Sequence, residues 1–474
     1  MKVLFVAAEA NPFIKVGGLG DVIGSLPKAL HENSVDARVV LPLYSAIDRD
    51  KYNIRFLKYI YISLGWRHLY CGIFETVYKG IKFYFIDNDY YFNRDQIYGQ
   101  ADDGERFAFF SKAALDILPH IDFKPNIINA NDWHAALSIV YLDLYKKEAY
   151  NYYMDMKSVI SIHNIEFQGK FNPYLLGSLF GLGNDYIAPL EFDGDINLLK
   201  GAIQLADRVS TVSENYAKEI LNPYFSFGLD KILSVEKGKL RGIINGIDYD
   251  KFNPQSDTRI FQKFSLSNID DRIKNKLAFQ KEMDLEVDSK IPMVGMVTRL
   301  TGQKGLDLLI EGVDHILNMG VQLVILGTGD FFYEDELRRL ERRRHDRVRS
   351  IIMFSNEVSS KIYSACDIFL MPSKSEPCGL SQLIAMRYGS IPVVNRVGGL
   401  RDTVEAFDPT RMTGNGFTFE SYNVYDMLDS IKRALDVYKF DENTWKKIII
   451  NAMNSDMTWS KSARKYMQMY EELL

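Results

Sequence analysis

The pattern that most limits the possible folds is an alternation, in both halves of the chain, of short apolar segments with helix-like segments. The segments predicted as strands are short and rich in β-branched residues. They span 3–7, 37–41, 126–129, 159–162, 208–212 and 240–244, then 293–297, 322–326, 350–354, 368–371 and 391–394. A hairpin is predicted within 72–86, where Lys79 and Gly80 form a turn signal. This alternation is typical of parallel sheets covered by helices, so the sequence predicts an α/β fold that occurs twice.

Length supports two domains, because 474 residues exceed what one hydrophobic core usually organises. Turn-forming residues cluster at 245–254, and the polar stretch up to Ile291 lacks strong strand signals. The predicted domains are therefore 1–243 and 244–457. Residues 458–474 carry apolar residues at helical spacing and are predicted to form an amphipathic helix packed on the body: Tyr466, Met469, Tyr470 and Leu473.

Charge and composition exclude several classes of protein. The net charge is only −5, which argues against a surface built to bind nucleic acid. The first apolar segment, 3–8, is interrupted by Glu9, and no uncharged apolar run approaches the roughly 20 residues that span a bilayer. The three cysteines form no CxxC pair, so no zinc site is expected. We expect a cytoplasmic protein with no membrane or nucleic-acid partner and no metal.

The first candidate site is the loop after the segment 3–7. It carries Lys15, Gly17 and Gly18, and Asp21 is a plausible N-cap of the following helix. Glycines let backbone amides approach a ligand, and a helix N-terminus attracts anions. The alternative is a tight strand-to-helix turn with a surface lysine, and the loop alone does not decide between them.

Two further loops follow strands in the second half. Arg299 and Lys304 lie between the segment 293–297 and a helix beginning near Gly305, where their charges could meet both phosphates of a sugar diphosphate. Glu376 precedes Cys378 and Gly379, so that a carboxylate and two amides could bind sugar hydroxyls. The alternatives are solvated basic residues for the first loop and a helix N-cap glutamate for the second. Cys378 is interpreted as a small buried residue, because no activating base is near it.

Several motifs in the same order resemble those of bacterial glycogen synthases, the group that also contains plant starch synthases. The resemblance covers nearly the whole chain. The motifs are KVGGLGDVIGSLPKAL at 15–30, NDWH at 131–134, IHNIEFQG at 162–169, INGID at 244–248, TRLTGQKGLDL at 298–308, EPCGL at 376–380 and VGGLRDTV at 397–404. Position 384, where many related retaining transferases carry a second glutamate, is isoleucine, and members of this group also tend to have an apolar or aromatic residue there.

The resemblance implies two Rossmann-like domains facing a deep cleft (the GT-B type), with the nucleotide mainly on the second and the glucan mainly on the first. It implies transfer of glucose from ADP-glucose to the non-reducing end of an α-1,4-glucan, with retention of configuration and without a metal or other cofactor. The implied catalytic residues are Lys15, His163, Arg299, Lys304 and Glu376. The implied substrate-binding residues are Gly17, Gly18, Asp21, Asp132, Trp133, Asn164, Asn245, Gln303, Phe354, Cys378, Gly379 and Leu380.

The resemblance also assigns roles to some of these residues. His163 is expected near the anomeric carbon and Asn245 near the reacting sugar, whereas Asp132 and Trp133 lie toward the acceptor. Phe354 is expected to stack on the adenine, and the alternative is a core residue that ends a strand.

Three alternatives remain open at this stage. The donor could be UDP-glucose, the acceptor could differ, or the chain could be a non-catalytic α-glucan-binding protein. No carboxylate pair is spaced as the nucleophile and acid of a glycosidase, so retention is expected to follow same-face attack. In that mechanism the departing phosphate oxygen takes the proton of the glucan hydroxyl.

Overall fold

The computed structural model describes residues 1–474, and the chain forms two compact units. Unit 1 contains Met1–Asn245 and Trp459–Leu474, whereas unit 2 contains Gly246–Thr458. The chain therefore passes between the units twice, at 245–246 and at 458–459. The assignment of the glucan to the first domain and of the nucleotide to the second stays a prediction.

Unit 1 is built on a nine-stranded sheet with the order β12-β11-β7-β6-β1-β2-β5-β4-β3 and on a small antiparallel sheet, β8-β10-β9. The strands are β1 Lys2–Val6, β2 Asp36–Pro42, β3 Arg55–Leu64, β4 Arg67–Tyr78, β5 Ile81–Asp87, β6 Ile127–Asn131, β7 Lys157–Ile162, β8 Lys170–Phe171, β9 Glu191–Phe192, β10 Asp195–Asn197, β11 Arg208–Thr211 and β12 Leu240–Gly242. Seven strands of the large sheet, from β12 to β5, pair in parallel, and β4 and β3 extend it as antiparallel strands.

The helices of unit 1 pack around this sheet. They are α1 Gly18–His31, α2 Asp89–Phe92, α3 Asp103–Asp116, α4 Asp132–Lys147, α5 Leu175–Ser178, α6 Ile187–Leu190, α7 Leu198–Leu205, α8 Glu214–Glu219 and α9 Asp230–Val235. Strand β1 is buried along Val3–Val6, as expected of a central parallel strand covered on both faces.

Unit 2 contains a six-stranded parallel sheet with the order β15-β14-β13-β16-β17-β18. Its strands are β13 Met293–Val297, β14 Gln322–Leu326, β15 Val348–Ile351, β16 Ile368–Met371, β17 Ile391–Asn395 and β18 Phe417–Phe419. Its helices are α10 Arg272–Glu282, α11 Leu306–Asn318, α12 Phe331–Arg343, α13 Asn356–Ala365, α14 Ser381–Arg387, α15 Gly398–Thr403, α16 Val424–Phe440 and α17 Glu442–Asn454. Each strand from β13 to β17 is followed by a helix, which gives the doubly wound arrangement of a dinucleotide-binding fold.

The last helix, α18, spans Trp459–Glu471 and packs against α1 within unit 1. Its buried face includes three of the four residues predicted from helical spacing, Tyr466, Met469 and Tyr470, while Leu473 lies beyond the helix. The Tyr470 hydroxyl accepts a hydrogen bond of 2.6 Å from the Asn129 side chain on β6, which ties the C-terminus to the central sheet of this unit.

Two predictions about local structure were wrong. Helix α1 begins at Gly18 with Gly17 as its N-cap, so Asp21 lies inside the first turn and is not the cap. The strand predicted at 350–354 is β15 at Val348–Ile351, which leaves Phe354 in the loop after it. The alternative that Glu376 is a helix N-cap is excluded, because α14 begins at Ser381 with Leu380 in the cap position.

Candidate active site

In unit 1 the strand order has a topological switch point beside β1, where successive strands change from one side of β1 to the other. The chain runs from β1 to β2 on one side, whereas β6, β7 and β11 follow on the other side. The loops after β1 and β6 leave the sheet at this point in opposite directions, and ligands of open α/β sheets bind at such a switch point. Lys15 lies in the loop after β1, Asp132 directly follows β6, and His163 directly follows β7, the strand next to β6.

The loop after β1 leaves open space in front of α1. Gly18 is exposed, and a Cβ placed on it would meet no atom within 4 Å. The ammonium of Lys15 lies 2.5 Å from the Asp21 carboxylate, and both side chains are partly exposed. This loop therefore presents a lysine and the first turn of a helix to any anion that enters the space.

Asp132 and His163 form a connected pair after β6 and β7. Asp132 has a positive φ of 55°, a backbone conformation that aspartate tolerates better than most residues. Its Oδ1 accepts a hydrogen bond of 2.7 Å from the His163 amide. Burial raises the pKa of Asp132 to about 7, against the lowering effect of the His163 and Asn164 amides. The carboxyl therefore holds a proton more readily than an exposed aspartate does.

The imidazole of His163 is neutral and held in one tautomer. The Asn131 amide nitrogen donates to the carbonyls of Val6 and Asn129, so its Oδ1 faces His163 and accepts from Nε2 at 3.0 Å. Burial lowers the pKa of His163 to about 4. A neutral ring does not repel positive charge that develops nearby, and Nδ1 remains an acceptor.

The other residues predicted for this half of the site lie in different environments. Trp133 is buried in a cluster with Phe107, His134 and Phe171, and its nearest ring is His134 at 4.0 Å between centroids. Asn164 caps its own turn by accepting from the Glu166 amide at 3.0 Å. Asn245 is buried, and its Oδ1 has no hydrogen-bond partner, so it can still accept from a hydroxyl.

In unit 2 the corresponding switch point lies between β13 and β16. The chain continues from β13 to β14 and β15 on one side and from β16 to β17 and β18 on the other. The loops after β13 and β16 carry Arg299, Lys304 and Glu376. They are joined by a hydrogen bond of 2.9 Å from the Lys374 amide to the Gln303 carbonyl.

An ion pair between Lys304 and Glu376 connects the two loops of this half-site. The Nζ atom lies 2.9 Å and 2.7 Å from the two carboxylate oxygens, and Glu376 is only 6% exposed. The Ser373 hydroxyl donates to the same carboxylate at 3.1 Å, and the Glu376 carbonyl accepts from the Gly399 amide at 3.0 Å. The carboxylate and the ammonium are therefore held in place from both loops.

The remaining residues of unit 2 surround this pair. Arg299 is exposed just after β13, and Cys378 is buried as predicted. Gly379 has a φ of 72°, and the carbonyls of Cys378 and Gly379 accept hydrogen bonds from the Gln382 side chain. Phe354 is 78% exposed, which excludes the alternative that it is a core residue.

Sequence reasoning missed three residues that organise these loops. Glu9 lies buried below the loop of Lys15, Asn131 orients His163, and Ser373 contacts Glu376. Each is polar and follows or ends a buried strand, which is the signal that could have identified it.

Within the described chain, no group of three or more His, Cys, Asp or Glu residues has the arrangement of a metal site. None of the helices combines the length and the apolar character needed to cross a bilayer.

Both halves of the chain match known families. Residues 2–235 match the model described as the starch synthase catalytic domain, and residues 280–452 match that of the glycosyl transferases group 1. The glycogen synthase of Clostridium botulinum (strain Eklund 17B / Type B) is 49% identical over 476 residues, which cover 100% of this chain and 99% of the relative. That of Clostridium beijerinckii is 48% identical over 478 residues, with coverage of 100% and 99%.

Solved structures agree with this assignment. The catalytic domain of starch synthase IV from Arabidopsis thaliana, bound to ADP and acarbose, superposes with a TM-score of 0.92 and 34% identity, covering 99% of each chain. Sucrose-phosphate synthase from Thermosynechococcus elongatus has a TM-score of 0.62 at 16% identity, covers 100% of this chain and 98% of its own, and supports the fold alone. The predicted α/β fold with GT-B glycosyltransferase domains is thereby confirmed. By its sequence relatives and its fold, the chain belongs to the glycogen and starch synthase family of hexosyltransferases.

Proposed function

We propose that the protein transfers glucose from ADP-glucose to the non-reducing end of an α-1,4-glucan, with retention of configuration and release of ADP. The observation that carries the proposal is the Lys304–Glu376 pair at the switch point of unit 2. It combines a cation suited to a diphosphate with a carboxylate suited to sugar hydroxyls. The full-length likeness to glycogen synthases and the ADP and acarbose bound by the starch synthase support the same substrates.

We propose that binding of the donor separates Lys304 from Glu376 and gives each of them a new partner on the ligand. Lys304 and Glu376 neutralise each other in the structure, with Nζ 2.7 Å from Oε2. A sugar diphosphate offers phosphate oxygens to Lys304 and hydroxyl donors to Glu376, so each group keeps a partner after the exchange. The charge of Lys304 then faces the leaving group, where a cation about 4 Å from an oxyanion contributes about 4 kcal/mol at an effective dielectric constant near 20.

Each unit is proposed to contribute its own residues to the reaction. In unit 2, Arg299 and Lys304 stabilise the departing ADP, and the exposed ring of Phe354 stacks on the adenine. In unit 1, Lys15 and the amide of Gly18 bind the donor. We propose that these cations make a metal or other cofactor unnecessary.

The reaction is proposed to proceed on one face of the sugar. The glucan hydroxyl attacks the anomeric carbon as the bond to the phosphate oxygen breaks, and that oxygen takes the proton of the hydroxyl. His163 lies close to the reacting sugar in this proposal, where its neutral imidazole does not oppose the positive character of the anomeric carbon. Asn245 offers its unsatisfied Oδ1 to a sugar hydroxyl, and Asp132 and Trp133 stand toward the acceptor.

A cytoplasmic location is part of the proposal. All three cysteines, Cys71, Cys366 and Cys378, are buried and none forms a disulfide, which is usual in a reducing compartment.

The test is incorporation of labelled glucose into glycogen from ADP-glucose, with UDP-glucose in parallel and EDTA present in both. Strong incorporation from ADP-glucose with EDTA present would support the donor, the acceptor and the metal independence. Incorporation from UDP-glucose alone would replace the proposed donor. Incorporation from neither would favour another acceptor or a role in binding α-glucan.

A further inference from the structure

Glu9 is a buried carboxylate in unit 1 that the proposed reaction does not use. It is 3% exposed and lies at the start of the loop after β1. Its Oε2 accepts hydrogen bonds from the amides of Val16 at 2.6 Å and of Gly17 at 2.9 Å. Its Oε1 accepts from the Tyr98 hydroxyl at 2.9 Å. Three neutral donors thus solvate one buried charge.

These contacts close the loop on itself. Glu9 lies at one end of the loop, whereas Val16 and Gly17 lie at the other, between Lys15 and Gly18. A buried carboxylate is costly unless its lone pairs are satisfied, and hydrogen bonds to a charged acceptor are about twice as strong as neutral ones. The carboxylate therefore holds the two amides from inside and leaves Lys15 and Gly18 facing outward.

Packing couples Glu9 to Lys15 as well. A Cβ on Gly20 would lie 3.0 Å from Oε2 of Glu9 and 3.1 Å from Cγ of Lys15. The first turn of α1 therefore packs closely against the side chains of both Glu9 and Lys15 at Gly20. If the carboxylate were lost, the stem of Lys15 and the amides beside it would gain space to move.

We infer that Glu9 is a positioning residue for the donor site: it holds the loop that carries Lys15 and Gly18 without contacting the substrate. This inference rests on the proposed function, in which that loop binds ADP-glucose. The competing view is that Glu9 only stabilises unit 1, so that its removal lowers the melting temperature and leaves the kinetics of the folded enzyme unchanged.

Two substitutions separate geometry from charge. Glu9→Gln keeps an oxygen that can accept from both amides, and its amide group can donate to the Tyr98 hydroxyl, so the loop keeps its shape without the charge. Glu9→Ala removes every contact. A matched control is Asp207→Ala, because Asp207 accepts from the Ser158 amide at 2.8 Å and from its hydroxyl at 3.0 Å. The contact between Asp207 and Ser158 lies at the amino end of β7, whereas Glu9 lies beyond the carboxyl end of β1 in the same sheet.

The readouts are kcat, KM for ADP-glucose and for glycogen, the melting temperature, and amide hydrogen exchange of residues 15–18 in the unliganded protein. Glu9→Ala is expected to lower kcat/KM for ADP-glucose by about 10- to 100-fold, because a displacement near 1 Å in a positioned group costs up to that much. It should leave KM for glycogen unchanged and speed exchange at 15–18. Glu9→Gln should restore most of the activity, and Asp207→Ala should keep wild-type kinetics whatever its melting temperature.

Wild-type kcat/KM in folded Glu9→Ala would overturn the inference. So would an equal kinetic loss in Asp207→Ala at an equal loss of melting temperature. Failure of the wild type to use ADP-glucose would instead overturn the proposed function. Hydrogen exchange still decides whether Glu9 holds the loop in that case, since unchanged exchange at 15–18 in Glu9→Ala would refute it.

Discussion

Gly305 offers the sharpest test of how the two loops of unit 2 are held together. It precedes α11 with a φ of 76°, and a Cβ placed on it would lie 2.1 Å from the carbonyl oxygen of Pro372. The backbone that carries Lys304 therefore lies against the strand end that leads to Glu376. Gly305→Ala should separate these two segments.

The expected magnitude follows from two contributions. A side chain at positive φ costs about 1–2 kcal/mol. Relief of the overlap needs a shift of about 1 Å, because carbon and oxygen normally approach only to about 3.3 Å, and overpacking of this kind costs about 1–3 kcal/mol. We therefore expect a loss of about 2–5 kcal/mol in stability and, since the shift falls between Lys304 and Glu376, a fall of about 100-fold in kcat/KM.

Gly320→Ala is the matched control. Gly320 has a φ of 79°, but a Cβ there would meet only the Nζ atom of Lys439, at 3.9 Å. It follows α11 at the other end of that helix. This variant should lose only the backbone contribution of about 1–2 kcal/mol and should keep wild-type kcat/KM.

The assay compares calorimetric melting and steady-state transfer from ADP-glucose for the two variants and the wild type. The reasoning would be refuted if Gly305→Ala matched Gly320→Ala in both stability and kcat/KM. If the two variants had equal kcat/KM but Gly305→Ala were less stable, the steric overlap with Pro372 would be supported and its effect on Lys304 and Glu376 would be rejected.

Three further predictions test separate parts of the structure. Lys304→Ala should lower kcat by about 1000-fold, the equivalent of about 4 kcal/mol, and near wild-type turnover would reject the role of its charge. Phe354→Ala should raise KM for ADP-glucose by about tenfold through lost stacking and leave the melting temperature unchanged, because the ring is exposed; an unchanged KM would place the adenine elsewhere. Burial, reinforced by Arg106, lowers the pKa of His134 from 6.5 to about 3, so unfolding takes up a proton between these values. The free energy of unfolding should therefore fall as the pH is lowered from about 6.5 toward 3, and urea unfolding at pH 7 and pH 5 should show a shallower fall in His134→Gln than in the wild type. Equal falls in the two proteins would contradict the assignment.

Elements with strong local signals were predictable. Strands β13, β14 and β16 have the predicted bounds, because their apolar runs end at turn residues. Strand β3, RFLKYIYISL, was missed although its aromatic and β-branched residues favour a strand; it lies at the edge of the sheet, and most of these side chains are exposed. The cap of α1 was misassigned because Asp21 is a favoured cap by residue type, whereas tertiary contacts of the loop place Gly17 there.

The sequence by itself determined which chemical groups the protein has and which strand each of them follows, because these depend on residue type and on local periodicity. Tertiary structure alone decided how those groups are paired. Lys304 and Glu376 are 72 residues apart, and they meet because the strand order places β16 beside β13. Glu9 accepts a hydrogen bond from Tyr98, 89 residues away in the chain, and His163 adopts one tautomer because Asn131 lies on the neighbouring strand. Such contacts depend on strand order and on burial, which are non-local properties that no single segment of the chain carries.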